Sequence, residues 1–216
     1  MRPEGKGALE SLYFEYPRFA APGRAHVLEH TQHKVAIVGA GPIGMFAALT
    51  LARFGVGSVV FDNKDTFNDG SRAICVQRSS YHALERAGAL GPFLEKALGW
   101  TKGRTFYRGK QILEFEMSHS DSEKYLPMYN IQQQFIEQYL WDAVTASDLI
   151  EVRWCSEVVG FGDTDGGARL TIEDTNGRYD CDAQWVFAAD GARSPVRKMR
   201  GKRLNGENFA GRYVIA

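Results

Sequence analysis

The stretch Lys34-Val35-Ala36-Ile37-Val38-Gly39-Ala40-Gly41-Pro42-Ile43-Gly44-Met45 decides the fold: a short apolar run, three spaced glycines, then a second apolar run from Met45 to Phe54. The pattern is G-x-G-x-x-G between a strand and a helix, the context in which such a loop binds a dinucleotide. In it Gly39 permits the tight turn and Gly41 lets the backbone approach a pyrophosphate. Gly44 lets helix and strand pack closely, so phosphates rest on the helix N-terminus. Pro42 suits the first helical turn, where a missing N–H costs nothing, and Ile43 lies within the same loop. About 20 residues on, a further apolar run, Val59-Val60-Phe61, ends at Asp62, placed to hydrogen-bond a ribose. The uncharged stretch between Lys34 and Arg53 also has about the length of a membrane span. Three glycines and a proline in its first half favour a turn instead.

The rest of the chain reads as an α/β protein. A helix is expected after Ser79-Ser80, running through Ala87 to Gly88, and a shorter one from Pro92 to Gly99. Two strands, Arg104 to Tyr107 and Gln111 to Phe115, flank Arg108-Gly109. Gln132 to Ala146 has helical spacing, with Ile136, Tyr139, Leu140 and Val144 on one side. The period then changes to two, predicting an antiparallel meander of Val152 to Phe161, Arg169 to Asp174 and Arg178 to Ala183. Asn176-Gly177 is its strongest turn signal. Trp185 to Ala189 reads as one more buried strand, followed by Asp190-Gly191 and a helix from Ser194 to Arg200. Phe209 to Ala216 reads as a further strand. Residues 1 to 33 read as an arm in which Tyr13, Phe14, Tyr16 and Phe19 pack over a neighbouring surface without regular structure.

The totals exclude some partners. Lys plus Arg and Asp plus Glu each number 26 in 216 residues, so no net field favours nucleic acid or an anionic membrane. Glu4, Glu10 and Glu15 interrupt any signal-like apolar region, and three cysteines without a C-x-x-C pair fit reduced thiols in the cytoplasm. His26-Val27-Leu28-Glu29-His30 spells H-x-x-E-H, a zinc signature. Its place in the arm, ahead of residues committed to a nucleotide, favours a solvated segment, and no metal is expected.

A second motif, Ala189-Asp190-Gly191-Ala192-Arg193-Ser194-Pro195-Val196-Arg197, follows the meander. With the glycine loop it resembles the group A flavoprotein monooxygenases, the FAD-dependent aromatic hydroxylases, and among them the hydroxyphenylpropionate hydroxylases. Their second fingerprint reads A/C-D-G-x-x-S-x-x-R. Asp69-Gly70-Ser71-Arg72-Ala73 resembles the family's loop whose arginine approaches the FAD pyrophosphate. Asn130-Ile131-Gln132-Gln133, with Glu137 and Leu140 beyond, resembles its N-x-P-Q segment, with Gln132 where proline is usual.

The resemblance implies a Rossmann-like FAD-binding domain with a parallel sheet and an inserted antiparallel β-meander. It places FAD on Gly39, Gly41, Pro42, Ile43, Gly44, Asp62, Arg72, Gln133, Asp190, Gly191 and Arg193. NAD(P)H is the implied co-substrate, the second motif serving both. The implied activity is hydroxylation of a small aromatic substrate with O2, through a flavin C4a-hydroperoxide. The expected organisation is an arm over 1–33, the FAD-binding domain over 34–203 and, over 204–216, the start of a truncated substrate domain. The family's third, G-D, fingerprint lies beyond a substrate-binding sheet, well past position 216, and the residues that act on substrate mostly belong to that sheet, so no catalytic side chain is named; Tyr107, Tyr129 and His82 read as packing or surface residues. A homodimer of the full-length protein stays open, as does a nucleotide-binding fragment or interaction module without monooxygenase activity.

Overall fold

A computed structural model describes residues 14–23, 31–68, 74–207 and 209–211. In chain order the elements are β1 (Thr31–Val38), α1 (Pro42–Arg53), β2 (Ser58–Phe61), β3 (Cys75–Gln77), α2 (Arg78–Ala87), α3 (Gly91–Lys96), β4 (Leu98–Trp100) and β5 (Lys102–Tyr107). There follow β6 (Lys110–Glu116), β7 (Met128–Asn130), α4 (Gln133–Thr145), β8 (Ile150–Arg153), β9 (Glu157–Thr164), β10 (Gly167–Asp174), β11 (Gly177–Ala188) and α5 (Pro195–Met199). One six-stranded sheet runs β8-β2-β1-β11-β10-β9. Its first four strands are parallel, and β11, β10 and β9 pair antiparallel as the meander.

Val35 to Val38 are all apolar because both faces of β1 are covered, as parallel strands require. Val35 and Ile37 pack with Ala48 of α1 and with Trp154, on the helix side. Ala36 and Val38 pack with Leu170, Ile172 and Cys181, whose meander folds over the opposite face. On the helix side, Met45 and Leu49 meet Leu140 and Val144 of α4, and Tyr81 and Leu84 of α2 complete that core. Two small sheets, β3-β7-β4 and the hairpin β5-β6, extend from this body. The hairpin turns at Arg108-Gly109, where both residues have positive φ, as expected.

Several expectations are corrected. The strand expected over Val152 to Phe161 is two strands: β8 joins the parallel sheet beside β2, and only β9 belongs to the meander. The chain turns between them at Cys155, with φ of 51°. Alternation marks extended backbone and does not reveal a change of neighbour. Conversely, Arg178 to Ala183 and Trp185 to Ala189 are one strand, β11, pairing with β10 in its first half and with β1 in its second. That second half is not buried: Trp185 is 71% and Phe187 44% exposed, because no described element covers this part of the strand. Gly99 does not close a helix; it lies in β4, where a Cβ would meet Leu126 Cδ1 at 2.5 Å. Helix α2 begins at Arg78 with no side-chain cap from Ser79 or Ser80, whereas Pro42 opens the first turn of α1 as expected. Strand β1 begins three residues ahead of Lys34. Phe209, Ala210 and Gly211 form no strand, and 212–216 lie outside the described residues.

Residues 14–23 run extended across the helix side. Phe19 stacks on Trp154 at 4.3 Å between ring centroids, and Phe14 meets Phe135 edge-on. The Phe19 N–H donates to the Asp65 carbonyl at 2.8 Å. No disulfide involves Cys75, Cys155 or Cys181. No described helix is long and apolar enough to cross a membrane. His26, Glu29 and His30 lie outside the described residues, and among those described no group of three or more His, Cys, Asp or Glu is placed to hold a metal.

Candidate nucleotide site

Three parallel strands end together. The Gly39 N–H donates to the Phe61 carbonyl at 2.7 Å, and the Ala189 N–H donates to the Val38 carbonyl at 2.8 Å. These bonds tie the carboxyl ends of β2, β1 and β11. In open α/β sheets a ligand crevice forms outside the carboxyl ends of the strands where the chain leaves neighbouring strands toward opposite faces, as it does here into α1 and α5. Here the crevice is a cleft of about 300 Å³.

The three glycines of the loop meet different surroundings. Gly39 has φ of 106°, and a Cβ there would lie 2.5 Å from the Ala189 carbonyl oxygen. A Cβ on Gly44 would lie 1.8 Å from the Gly39 carbonyl oxygen. Both are therefore excluded from alanine by backbone, and the first binds the glycine loop closely to the Asp190 turn. Gly41 is different. Its nearest neighbour would be Asn68 Nδ2, 4.0 Å away, so its missing side chain leaves room in the cleft. Gly41 caps α1, whose first turn contains Pro42 and no acidic residue. The unpaired N–H groups and positive end of the helix thus have no intramolecular anion of that turn competing for them.

Asp62 holds the loop as well as facing the cleft. Its Oδ2 accepts the Ala40 N–H at 2.7 Å and its Oδ1 the Lys64 N–H at 2.9 Å, leaving a lone pair on each oxygen. On the opposite wall, Asp190 Oδ2 accepts from Ser194 Oγ at 2.7 Å and from the Val196 N–H at 3.0 Å. Ser194 Oγ in turn accepts the Arg197 N–H at 2.9 Å. Aspartate and serine together cap α5, and Gly191, with φ of 77°, makes the turn that delivers them.

Of the residues singled out in the sequence, Gly39, Gly41, Pro42, Ile43, Asp62, Asp190 and Gly191 line this cleft. Gly44 sits behind it in α1. Arg193 is exposed in the turn after Gly191 and is not part of the lining. Arg72 lies outside the described residues. Gln133 does not line the cleft either, but donates from Nε2 to Glu137 Oε1 at 2.6 Å. Glu137 also accepts the Asn68 backbone N–H on Oε2 at 2.7 Å and Asn68 Nδ2 on Oε1 at 2.8 Å. Asn68, which does line the cleft, receives the Lys64 ammonium on Oδ1. Sequence reasoning assigned no role to Asn68 or Glu137, although a charged residue on the face that buries Leu140 and Val144 was a visible signal.

A second, open cavity of about 610 Å³ shares Ile43, Asp190 and Gly191 with the first and adds Arg197, Arg200 and Lys202. Arg200 is occupied by Asp163, which it grips through two 2.8 Å bonds. Beside the cleft, burial first and then the carboxylates of Asp65, Asp62 and Asp174 push the Cys155 thiol up, which disfavours the thiolate. Tyr129 stacks on Tyr81 at 3.8 Å and accepts the Leu126 N–H on its hydroxyl, a packing role.

A family model described as FAD binding domain matches residues 32–213. The 3-(3-hydroxy-phenyl)propionate/3-hydroxycinnamic acid hydroxylase of Burkholderia cenocepacia (strain HI2424) is 31% identical over 183 residues, covering 84% of this chain and 34% of its own. Para-nitrophenol 4-monooxygenase of Pseudomonas sp. (strain WBC-3) is 26% identical, covering 83% and 45%. In fold, the chain is similar to the p-nitrophenol 4-monooxygenase PnpA of Pseudomonas putida DLL-E4, with a TM-score of 0.78 at 24% identity, covering 84% of this chain and 47% of that one. The flavin-dependent monooxygenase PieE, solved with FAD and substrate, gives 0.73 at 22% identity, over 82% and 33%. The chain spans about a third to under a half of the length of these curated relatives.

Proposed function

From the premise that the chain belongs to the FAD binding domain family, we propose that it is the FAD-binding part of an NAD(P)H-using monooxygenase that hydroxylates a phenolic ring. The observation that carries this reading is the cleft itself, where the glycine loop and the Asp190-Gly191 turn, far apart in sequence, form facing walls. The room at Gly41 and the uncontested N-terminus of α1 suit a pyrophosphate, with Arg72 as its further partner. The free lone pairs of Asp62 suit ribose hydroxyls. Gln133 and Arg193 would serve the flavin end. The adjoining cavity, with Arg197 and Lys202, suits the phosphates of NAD(P)H.

When bound, FAD supplies the redox and oxygen chemistry. The residues of this chain bind and orient it. A phenolic substrate is supported by the relatives, whose names specify hydroxyphenylpropionate, hydroxycinnamate and nitrophenol. In this reading the binding unit spans 34–203, with 1–33 as an arm, and three cysteines outside any disulfide suit the cytoplasm.

Titration of the FAD-free protein with FAD, followed by quenching of flavin fluorescence, tests the cofactor. Saturable binding of one FAD per chain is expected; absence of binding would overturn the reading. Phenol-stimulated NAD(P)H oxidation by the protein of the intact reading frame tests hydroxylation, and an oxidation rate indifferent to every phenolic acid offered would remove that part.

A further inference from the structure

The geometry points to Glu137 as the positioning residue of the FAD site, the group that orients Asn68 and Gln133 toward the cofactor. The inference rests on the FAD reading above. Glu137 is 1% exposed, yet it lies one helical turn beyond the start of α4, on the face that buries Leu140 and Val144. A buried carboxylate is tolerated only where its oxygens are hydrogen-bonded. Here its donors are the Asn68 N–H, Asn68 Nδ2 and Gln133 Nε2, at 2.6 to 2.8 Å. None belongs to the helix backbone. The carboxylate therefore joins a cleft loop to a helix side chain.

The consequence is chemical as well as mechanical. With one N–H of Gln133 committed to Glu137, its amide orientation is set, and Oε1 and the remaining N–H are left for another partner. An acceptor beside a donor is the pair that a hydroxyl satisfies, whereas phosphate oxygens only accept. Gln133 is thus set for a hydroxyl of the ribityl chain or ribose. Asn68 is held by both backbone and side chain, which fixes its amide across the cleft from Gly41 and leaves Oδ1 for Lys64. Glu137→Gln keeps one acceptor oxygen where two now accept, so whichever way its amide turns an NH₂ faces either the Asn68 backbone N–H or the two side-chain amides, and one half of the junction is lost.

The test is FAD affinity by fluorescence quenching in two backgrounds, with circular dichroism to verify folding. Glu137→Gln is expected to weaken FAD at least tenfold in the wild-type chain. In an Asn68→Ala/Gln133→Ala background the same change is expected to cost less than threefold, since both side-chain amides are gone and the glutamine oxygen can turn to the one remaining donor, the backbone N–H of position 68. A merely structural role would lower affinity by the same factor in both. Equal loss in both backgrounds, or no loss in the first, would overturn the assignment. Should Glu137→Gln not fold, Glu137→Asp, which withdraws the carboxylate by one methylene, is expected to show the same background dependence, and its absence counts equally against it. A wild-type chain that binds no FAD overturns the cofactor reading and this inference with it; a wild type that binds beside an unaffected Glu137→Gln removes this inference alone.

Discussion

Replacing Gly44 by alanine would set a methyl group 1.8 Å from the Gly39 carbonyl oxygen, and the backbone of the loop must then move. Gly44→Ala is expected to destabilise by about 3 kcal/mol, as overpacking against backbone does. Gly41→Ala has room, and Gly41 has φ of −73°, which alanine adopts freely. Its stability is expected to stay within about 1 kcal/mol of wild type, while FAD affinity falls at least about tenfold, or 1.4 kcal/mol. Urea unfolding beside FAD titration separates the two, and equal behaviour of both variants would contradict the geometry. Asp62→Ala is expected to fail in both assays, losing FAD affinity about tenfold and about 1–2 kcal/mol of stability with the Ala40 and Lys64 bonds. His33 adds a dependence on pH. Burial, aided by Arg153 and opposed by Glu151, holds its pKa below the usual 6.5. The unfolded chain then binds a proton as pH falls through about 6.5 while the folded one resists it, so this contribution is present above that value and is lost toward acid. Urea midpoints that decline from about pH 7 to 5.5, with a shallower decline in His33→Gln, would bear this out.

At the scale of elements, the segment 14–23 is the part whose contribution is most open to measurement, since it lies ahead of the residues matched by the family model. Phe19 stacks on Trp154, tilts against Phe67 and Trp141, and bonds through its backbone to Asp65, in the loop that runs from Asp62 to Asn68. Phe19→Ala is expected to cost about 2 kcal/mol, read as a lower urea midpoint with an unchanged m-value. The sequence showed that this arm packs through its aromatics, because Phe14, Tyr16 and Phe19 lie among prolines with no periodic pattern. It showed β1, α1 and β2 as well, where period and glycine spacing agree. What it did not show depends on neighbours. The break at Cys155 separates two strands with different partners, and β11 passes without interruption from an antiparallel neighbour to a parallel one. Likewise, Glu137 and Asn68 are far apart in sequence, and only the fold brings a buried carboxylate onto a loop amide. The glycines and Asp62 were legible because one local unit carries them.

The whole molecule closes on the cleft from both sides of β1. One wall belongs to β1, α1 and β2, near the beginning of the described chain; the other belongs to the end of β11 and the turn into α5, near its end. Apolar side chains stay exposed elsewhere, on the β5-β6 hairpin at Phe106, Ile112 and Leu113 and on β11 at Trp185. The cleft walls are joined through the β1–β11 ladder and, at the cleft itself, by the Ala189 N–H to the Val38 carbonyl, and a ligand that touches both adds a further connection. Anything that binds the folded state alone stabilises it by mass action, about 2.7 kcal/mol at a hundred times Kd. For a chain of this length each kcal/mol raises Tm by about 2–4 °C, so FAD at that excess is expected to raise Tm by about 5–11 °C. The rise should shrink in Gly41→Ala at the same FAD concentration, because affinity falls while the fold is kept. NAD⁺ at equal concentration is expected to give less than half of it, since it lacks the flavin and ribityl portion that Gln133 and the Asp190 turn would contact. Differential scanning fluorimetry in the presence of each nucleotide measures this. An equal shift from NAD⁺ and FAD would mean that the cleft reads only the adenosine diphosphate they share, and the flavin end of the site would have to be sought elsewhere on the molecule.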